Sequence, residues 1–242
     1  MKHYEQKFTI FSSSFHATVA STLISLVGRY QVTVSRPWRV DLPANPERAM
    51  KHEDSLLDTG RSPLGITMSE AAVGIRRFQP EDVPALFWAV RESLPQIRRW
   101  MAWCGADYSM RDSMDFVLSC GQEWRADRRY NFAIYDRSEQ TLLGSVGLSG
   151  VNRTHHLANL GYWVRSSRTG RGVASAAVRL AARFAFYELH LKRLELVIAE
   201  GNHSSIRVAE KVRAHREGIL KSRLWLLGKP ANAFMYSLVA ED

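Results

Sequence analysis

Leu160-Gly161-Tyr162-Trp163-Val164-Arg165, then Ser166-Ser167-Arg168-Thr169, then Gly170-Arg171-Gly172-Val173-Ala174 and an Ala-rich run to Ala185: this stretch decides the reading of the chain. The short apolar run with its aromatics reads as a strand. A Gly-x-Gly turn follows. Val173, Ala177, Leu180, Ala181 and Phe184 then recur at helical spacing. The unit is therefore a strand, a loop of phosphate size and a helix N-terminus. Glycines 170 and 172 remove the Cβ atoms that would keep a ligand off the backbone. The first-turn amides of the helix have no intrahelical acceptor and sit at the positive end of the macrodipole. Arg165, Arg168 and Arg171 add side-chain charge. The chemistry favours a phosphate or pyrophosphate; the plain alternative is a turn whose glycines serve geometry alone.

Working outward, the chain has 242 residues, 45% hydrophobic and 24% charged, which suits one good core with an appendage. Its net charge of +9 attracts polyanions and phosphorylated cofactors alike. The basic residues are scattered, so a nucleic-acid partner is not expected. Cys104 and Cys120 form neither a metal-ligand spacing nor a disulfide framework. No metal is expected, and a reducing cytoplasm fits the cysteine usage. No apolar run has the length of a membrane span; residues 15–27 are mildly apolar but interrupted by Ser, Thr and His.

Residues 1–67 read differently from the rest. They are rich in Ser, Thr, Pro and His, with three prolines between Ser35 and Arg48. The expectation is a poorly ordered extension, or an upstream translation with Met68 as the working start, and a domain over 68–242.

Within that domain, residues 73–78 alternate as a first strand. Gln79-Pro80-Glu81-Asp82 opens a helix to about Glu92, and 94–103 reads as a second helical piece. Ser109 and Asp112 form a capping-box-like start for a helix to about Ala126. Residues 130–135 and 142–151 form a hairpin across a polar turn. The organising unit follows, then a buried strand over 194–199 and a short helix over 202–213. Residues 219–226 and 233–238 form a final hairpin around Gly228-Lys229-Pro230. The class is α+β.

With these pieces placed, the chain resembles the GNAT superfamily of N-acetyltransferases, most of all the RimJ/RimL-type ribosomal-protein N-terminal acetyltransferases. The stretches that carry this are Trp100-Met101-Ala102-Trp103, Phe132-Ala133-Ile134-Tyr135-Asp136, Leu143-Gly144-Ser145-Val146-Gly147-Leu148, Gly161-Tyr162-Trp163-Val164, Gly170-Arg171-Gly172-Val173-Ala174, Arg193-Leu194-Glu195-Leu196, Asn202-x-x-Ser205, Glu217-Gly218 and Tyr236-Ser237-Leu238. The match covers roughly residues 72–240.

The resemblance implies a mixed, mostly antiparallel sheet flanked by helices, with acetyl-CoA as co-substrate in a gap between strands 158–164 and 194–199. Backbone groups of Trp163, Val164 and Arg165 would pair with the pantetheine amides. Gly170, Arg171, Gly172, Val173, Ala174 and Ser175 would hold the pyrophosphate, with Arg168 and Thr169 beside them on the cofactor side and Arg168 able to supply charge, and Asn202 would hold the pantetheine arm or a water. Two departures stand out. Thr169 occupies a position where the family usually has Gln or Arg. Arg213-Ala214 stand where it usually has Gly and an aromatic, so residue 213 must do without glycine's freedom or turn differently.

Acetyl transfer needs a polarised thioester, an amine freed of its proton and a stabilised leaving thiolate. No covalent enzyme intermediate is required, so the cysteines read as buried small hydrophobes. By resemblance Ser205 lies near the CoA sulfur; its alternative role, with Ser204, is helix capping. Asn202's alternative is also a cap. Glu195 could act as a base through water, or simply pair with a neighbouring arginine. Glu200, five positions on, faces the other side. Asn159 stands where the family often has an acid. His155, His156 and His203 read as loop residues more than relays. Trp100, Trp103 and Tyr162 line the acceptor groove or belong to the core, and Tyr236 matches a family tyrosine or packs its strand.

The expected acceptor is the α-amino group of a protein or peptide. A small amine and a CoA-binding module without turnover are the other readings, and a homodimer is among the expectations.

Overall fold

The structure, a computed structural model, describes residues 67–240. The extension expected over residues 1–67 lies outside the described residues, except Thr67. That residue opens β1 (Thr67–Glu70), which pairs antiparallel with β2 (Val73–Arg77). This first strand is not foreseen by the alternation, because four residues with half-exposed side chains carry no apolar period.

After β2 comes one long helix, α1 (Val83–Trp100), where two pieces are expected. Pro95 lies inside it. Leu86, Ala89, Val90, Ser93 and Ile97 stay in one buried stripe through the proline, which is itself exposed. Packing thus holds the helix across the hydrogen bond that Pro95 cannot donate. The second helix, α2 (Met110–Arg125), starts on the expected capping box. The Ser109 amide donates to the Asp112 carboxylate at 2.8 Å, and the Asp112 amide to Ser109 Oγ at 3.4 Å.

The hairpin follows as β3 (Tyr130–Asp136) and β4 (Leu142–Asn152). Next come β5 (Leu157–Val164), α3 (Val173–Arg183), β6 (Arg193–Ala199) and α4 (His203–Lys211). A wider, π-type turn over Phe184–Glu188 ends α3. The closing hairpin is β7 (His215–Leu226) and β8 (Lys229–Val239), longer than expected and turned at Leu227-Gly228.

The eight strands form one sheet in the order β1-β2-β3-β4-β5-β6-β8-β7. Every neighbouring pair is antiparallel except β5 with β6. On one face α3 and the turn that ends it bury Ala177, Val178, Leu180, Ala181 and Phe184 against Phe132, Ile134, Val146, Leu160, Leu194 and Leu196. On the other, α1 and α2 bury Leu86, Val90, Ile97 and Val117 against Ala133 and Leu142. The period-2 alternation of β3 sends Phe132 and Ile134 to one layer and Ala133 to the other. Among the described residues no helix is long and apolar enough to cross a membrane.

Candidate active site

The parallel pair β5–β6 is short. Leu157, Ala158 and Asn159 pair with Arg193, Leu194 and Glu195, and the strands then part. On its other side β5 stays paired to β4 as far as Val164, and the Arg165 amide continues the ladder by donating to the Leu143 carbonyl at 2.8 Å. Antiparallel alternation then turns the backbone of Gly161, Trp163 and Arg165 toward β4. The N–H and C=O groups of Tyr162 and Val164 point into the parting. The open backbone edge is thus one residue out of step with the expected Trp163 and Arg165, with Val164 common to both.

A cleft of about 640 Å³ occupies the parting. Of the expected cofactor residues it brings together Trp163, Val164, Arg168, Thr169, Gly170, Gly172, Val173, Ala174, Ser175 and Asn202; Arg165 and Arg171 are not in its wall. Gly170 and Gly172 have φ of 74° and 80°, a region that favours glycine. Gly172 is the N-cap of α3 and offers no side chain to its first turn, so the amides of Val173, Ala174 and Ser175 open into the cleft. The cradle is the one argued from the glycines, but its charge is distributed differently. Arg165 is ion-paired to Glu92 of α1, and Arg168 reaches Glu139 at 2.6 Å. Glu92 also accepts from the Ser167 amide at 2.8 Å, and these contacts, Arg165's first, hold its carboxyl down at about 2. The loop is thereby fastened to α1.

The facing bank is α4. Asn202 caps it, accepting from the Ser205 amide at 3.2 Å, so the capping role considered for Ser204 and Ser205 falls to Asn202. Ser205 lines the cleft beside Tyr162. The Tyr162 phenol donates to the Ser205 carbonyl at 3.4 Å. Burial, opposed by the contact with Ser205, pushes that phenol up to about 12, so it stays a neutral donor at ordinary pH. Trp100, at the end of α1, lies against Gly201, where an added Cβ would stand 3.5 Å from its ring. Sequence reading did not find Arg207, Val208 and Lys211, which also line the cleft from α4. Only the i, i+4 spacing of the two basic residues hints at them.

A second groove, about 720 Å³, lies between the α1–α2 connection and the sheet. Trp103, Tyr108, Phe116, Asp107, Asp112 and Arg129 line it above a floor that includes Ser145, Gly147 and Gly161. It shares Met101, Tyr162 and Trp163 with the cleft, so the two spaces meet. The three aromatics expected at the acceptor side therefore divide: Trp103 lines the groove, Trp100 the cleft and Tyr162 both.

Glu195 lines neither space. It sits on the paired part of β6 and accepts from Arg193 Nε at 2.9 Å, while Arg193 also grips Glu217. The structure thus places it in the arginine pair considered for it and away from the site. Cys104 and Cys120 are both buried, and burial raises the Cys120 thiol to about 11, far from a nucleophile.

A mixed sheet parted between two parallel strands, with a glycine loop and an open helix start at the parting, is the acyl-CoA N-acyltransferase fold. The chain belongs to the GNAT family: residues 73–215 match its acetyltransferase (GNAT) domain. It is an N-acetyltransferase of that family, whose members use acetyl-CoA. Two relatives come from Bacillus subtilis strain 168. YjcK, assigned by inference as an N-acetyltransferase, is 36% identical over 122 residues, half of this chain and 67% of that protein. YdaF, assigned by inference as a ribosomal N-acetyltransferase, is 26% identical over 172 residues, 70% of this chain and 92% of its own. Among solved structures, RimL, the ribosomal L7/L12 α-N-protein acetyltransferase with coenzyme A bound, superposes at a TM-score of 0.68. It is 18% identical, over 72% of this chain and 98% of that one.

Proposed function

We propose that this chain transfers the acetyl group of acetyl-CoA directly to the α-amino group of a protein or peptide, with both substrates bound at once. The observation that carries this is the meeting of cleft and groove at Met101, Tyr162 and Trp163. A thioester arm laid along the open edge of β5 ends where an amine in the groove begins. The similarity to RimL and YdaF supports a protein acceptor.

The residues divide the chemistry among them. The amides of Val173, Ala174 and Ser175 receive the pyrophosphate at the α3 N-terminus. The open backbone groups of Tyr162 and Val164 pair with the amides of the pantetheine arm and fix its register. A backbone N–H in this edge is suited to an oxygen gaining negative charge. The Ser205 hydroxyl donates to the departing thiolate. Of the groove's carboxylates, Asp112 is taken up by the Ser109 amide and hydroxyl, at 2.8 and 2.6 Å. Asp107 is left to draw in the acceptor's ammonium and to take its proton through water. A polycation is the less suitable acceptor for a protein of net charge +9.

The test is an acceptor screen that reads free CoA thiol, with short peptides of varied first residue beside polyamines and amino acids. Turnover with peptides is expected. Turnover confined to small amines would replace the acceptor, and no thiol release with any amine would overturn the reading.

A further inference from the structure

We infer that Lys211, from the last turn of α4, is the side-chain cation that grips the pyrophosphate, in place of the loop arginines. This rests on the acetyl-CoA reading above.

The loop carries three arginines, and none is disposed to serve. Arg165 is held by Glu92 and contributes nothing to the cleft wall. Arg168 lines the cleft, but its guanidinium is bound to Glu139 at 2.6 Å. Arg171 is exposed and outside the wall. Thr169, also in the wall, is neutral. Charge must therefore come from the opposite bank.

There Arg207 and Lys211 lie one helical turn apart and both line the cleft. The Arg207 guanidinium leans to Ser204 Oγ at 3.4 Å, toward the start of α4. The Lys211 ammonium lies 3.8 Å from the point where a Cβ on Gly172 would stand. It lies beside the N-cap of α3, and the cleft it lines is also lined by Val173, Ala174 and Ser175 of that helix's first turn. A compact ammonium aimed at an amide nest makes a two-sided anion clamp, backbone below and side chain above. The bland reading is a lysine favoured at a helix C-terminus by the macrodipole. That role would affect stability and no ligand.

Three ligands separate the possibilities by calorimetry: acetyl-CoA, its 3′-dephospho form, which keeps the pyrophosphate, and S-acetylpantetheine, which has neither phosphate. Lys211→Met should weaken the first two alike, by about tenfold or more, as loss of a charge-assisted contact implies. S-Acetylpantetheine should bind as before, and Lys211→Arg should recover most of the loss. Arg168→Met should stay within about threefold of the wild type, too little for a charge-assisted contact to phosphate.

Unchanged affinity for acetyl-CoA in Lys211→Met would overturn the inference while leaving the cofactor reading intact. So would a loss seen only with the 3′-phosphorylated form, or one shared by all three ligands, or a larger loss in Arg168→Met. A wild-type protein that binds none of the three would overturn the cofactor reading and this inference with it.

Discussion

The phenol of Tyr162 donates to the backbone carbonyl of Ser205 at 3.4 Å and ties β5 to the first turn of α4 across the parting. The Ser205 amide is held by Asn202, so both backbone groups of this residue are engaged, and its hydroxyl is the group proposed above for the departing thiolate. Ser205→Ala should lower kcat by about tenfold to a hundredfold, the range of a hydrogen bond to a charged group. KM for acetyl-CoA should change little. Steady-state kinetics with varied acetyl-CoA check this; an equal loss in cofactor affinity would reduce Ser205 to a binding contact.

Trp103 and Trp100 are close in sequence but serve different spaces. Trp103 is 53% exposed and stacks edge-on with Tyr108 in the second groove. Trp103→Ala should raise KM for the amine acceptor by about tenfold, the scale of one lost aromatic contact. KM for acetyl-CoA should stay put. Because so much of the ring is exposed, stability should fall by less than about 1 kcal/mol. An effect on acetyl-CoA instead would move the acceptor elsewhere.

Arg213 sits at φ 61° after α4, a left-handed conformation that crowds the Cβ of any residue but glycine. The departure noted in the sequence thus leaves the turn intact and places strain in it. A left-handed non-glycine residue costs roughly 1–2 kcal/mol, against about 0.4–1 kcal/mol for glycine's extra freedom when unfolded. Arg213→Gly should therefore stabilise by about 0.5–1 kcal/mol and raise Tm by a few degrees. A lower Tm would show that the Arg213 side chain contributes more than its backbone costs.

Glu217 is gripped by Arg193 at 2.6 Å through both oxygens and receives Ser237 Oγ at 2.7 Å. The arginine, chiefly, lowers its carboxyl from 4.5 to about 2, as Arg165 does for Glu92. A carboxyl whose pKa is lowered by folding stabilises the fold above its unfolded value and loses that contribution as pH falls through the folded one. Stability should therefore decline between pH 4.5 and about 2. Glu217→Gln should flatten that decline while costing about 1 kcal/mol or less at neutral pH, since the pair is solvent-exposed. Urea unfolding against pH reads the slope; an unchanged slope would mean that Glu217 is not linked to folding.

The sequence made some of this legible and not the rest. Strand β5, the glycine loop and α3 could be read because one strong period and two glycines act locally. The capping box at Ser109 and Asp112 is local too. The charge of the cradle was not legible. Arg165 and Arg168 look like ligands in the loop, but their partners, Glu92 and Glu139, lie 73 and 29 positions away. Lys211 belongs to another element and meets the loop only through the fold. Glu195 has the right chemistry for a base, but the register of β6 with β5 keeps it in the closed part of the sheet. The phase of β5 decides which amides face the parting, and that depends on its pairing with β4.

The central claim is that the amides of Tyr162 and Val164 stand open in the parting and take up the acetyl-CoA arm. Residue-resolved amide hydrogen exchange, with and without acetyl-CoA, tests it most directly. The account predicts slow exchange at Gly161, Trp163 and Arg165 in both states, and new protection at Tyr162 and Val164 only with the ligand. Unchanged exchange at Tyr162 and Val164 under saturating acetyl-CoA would contradict it.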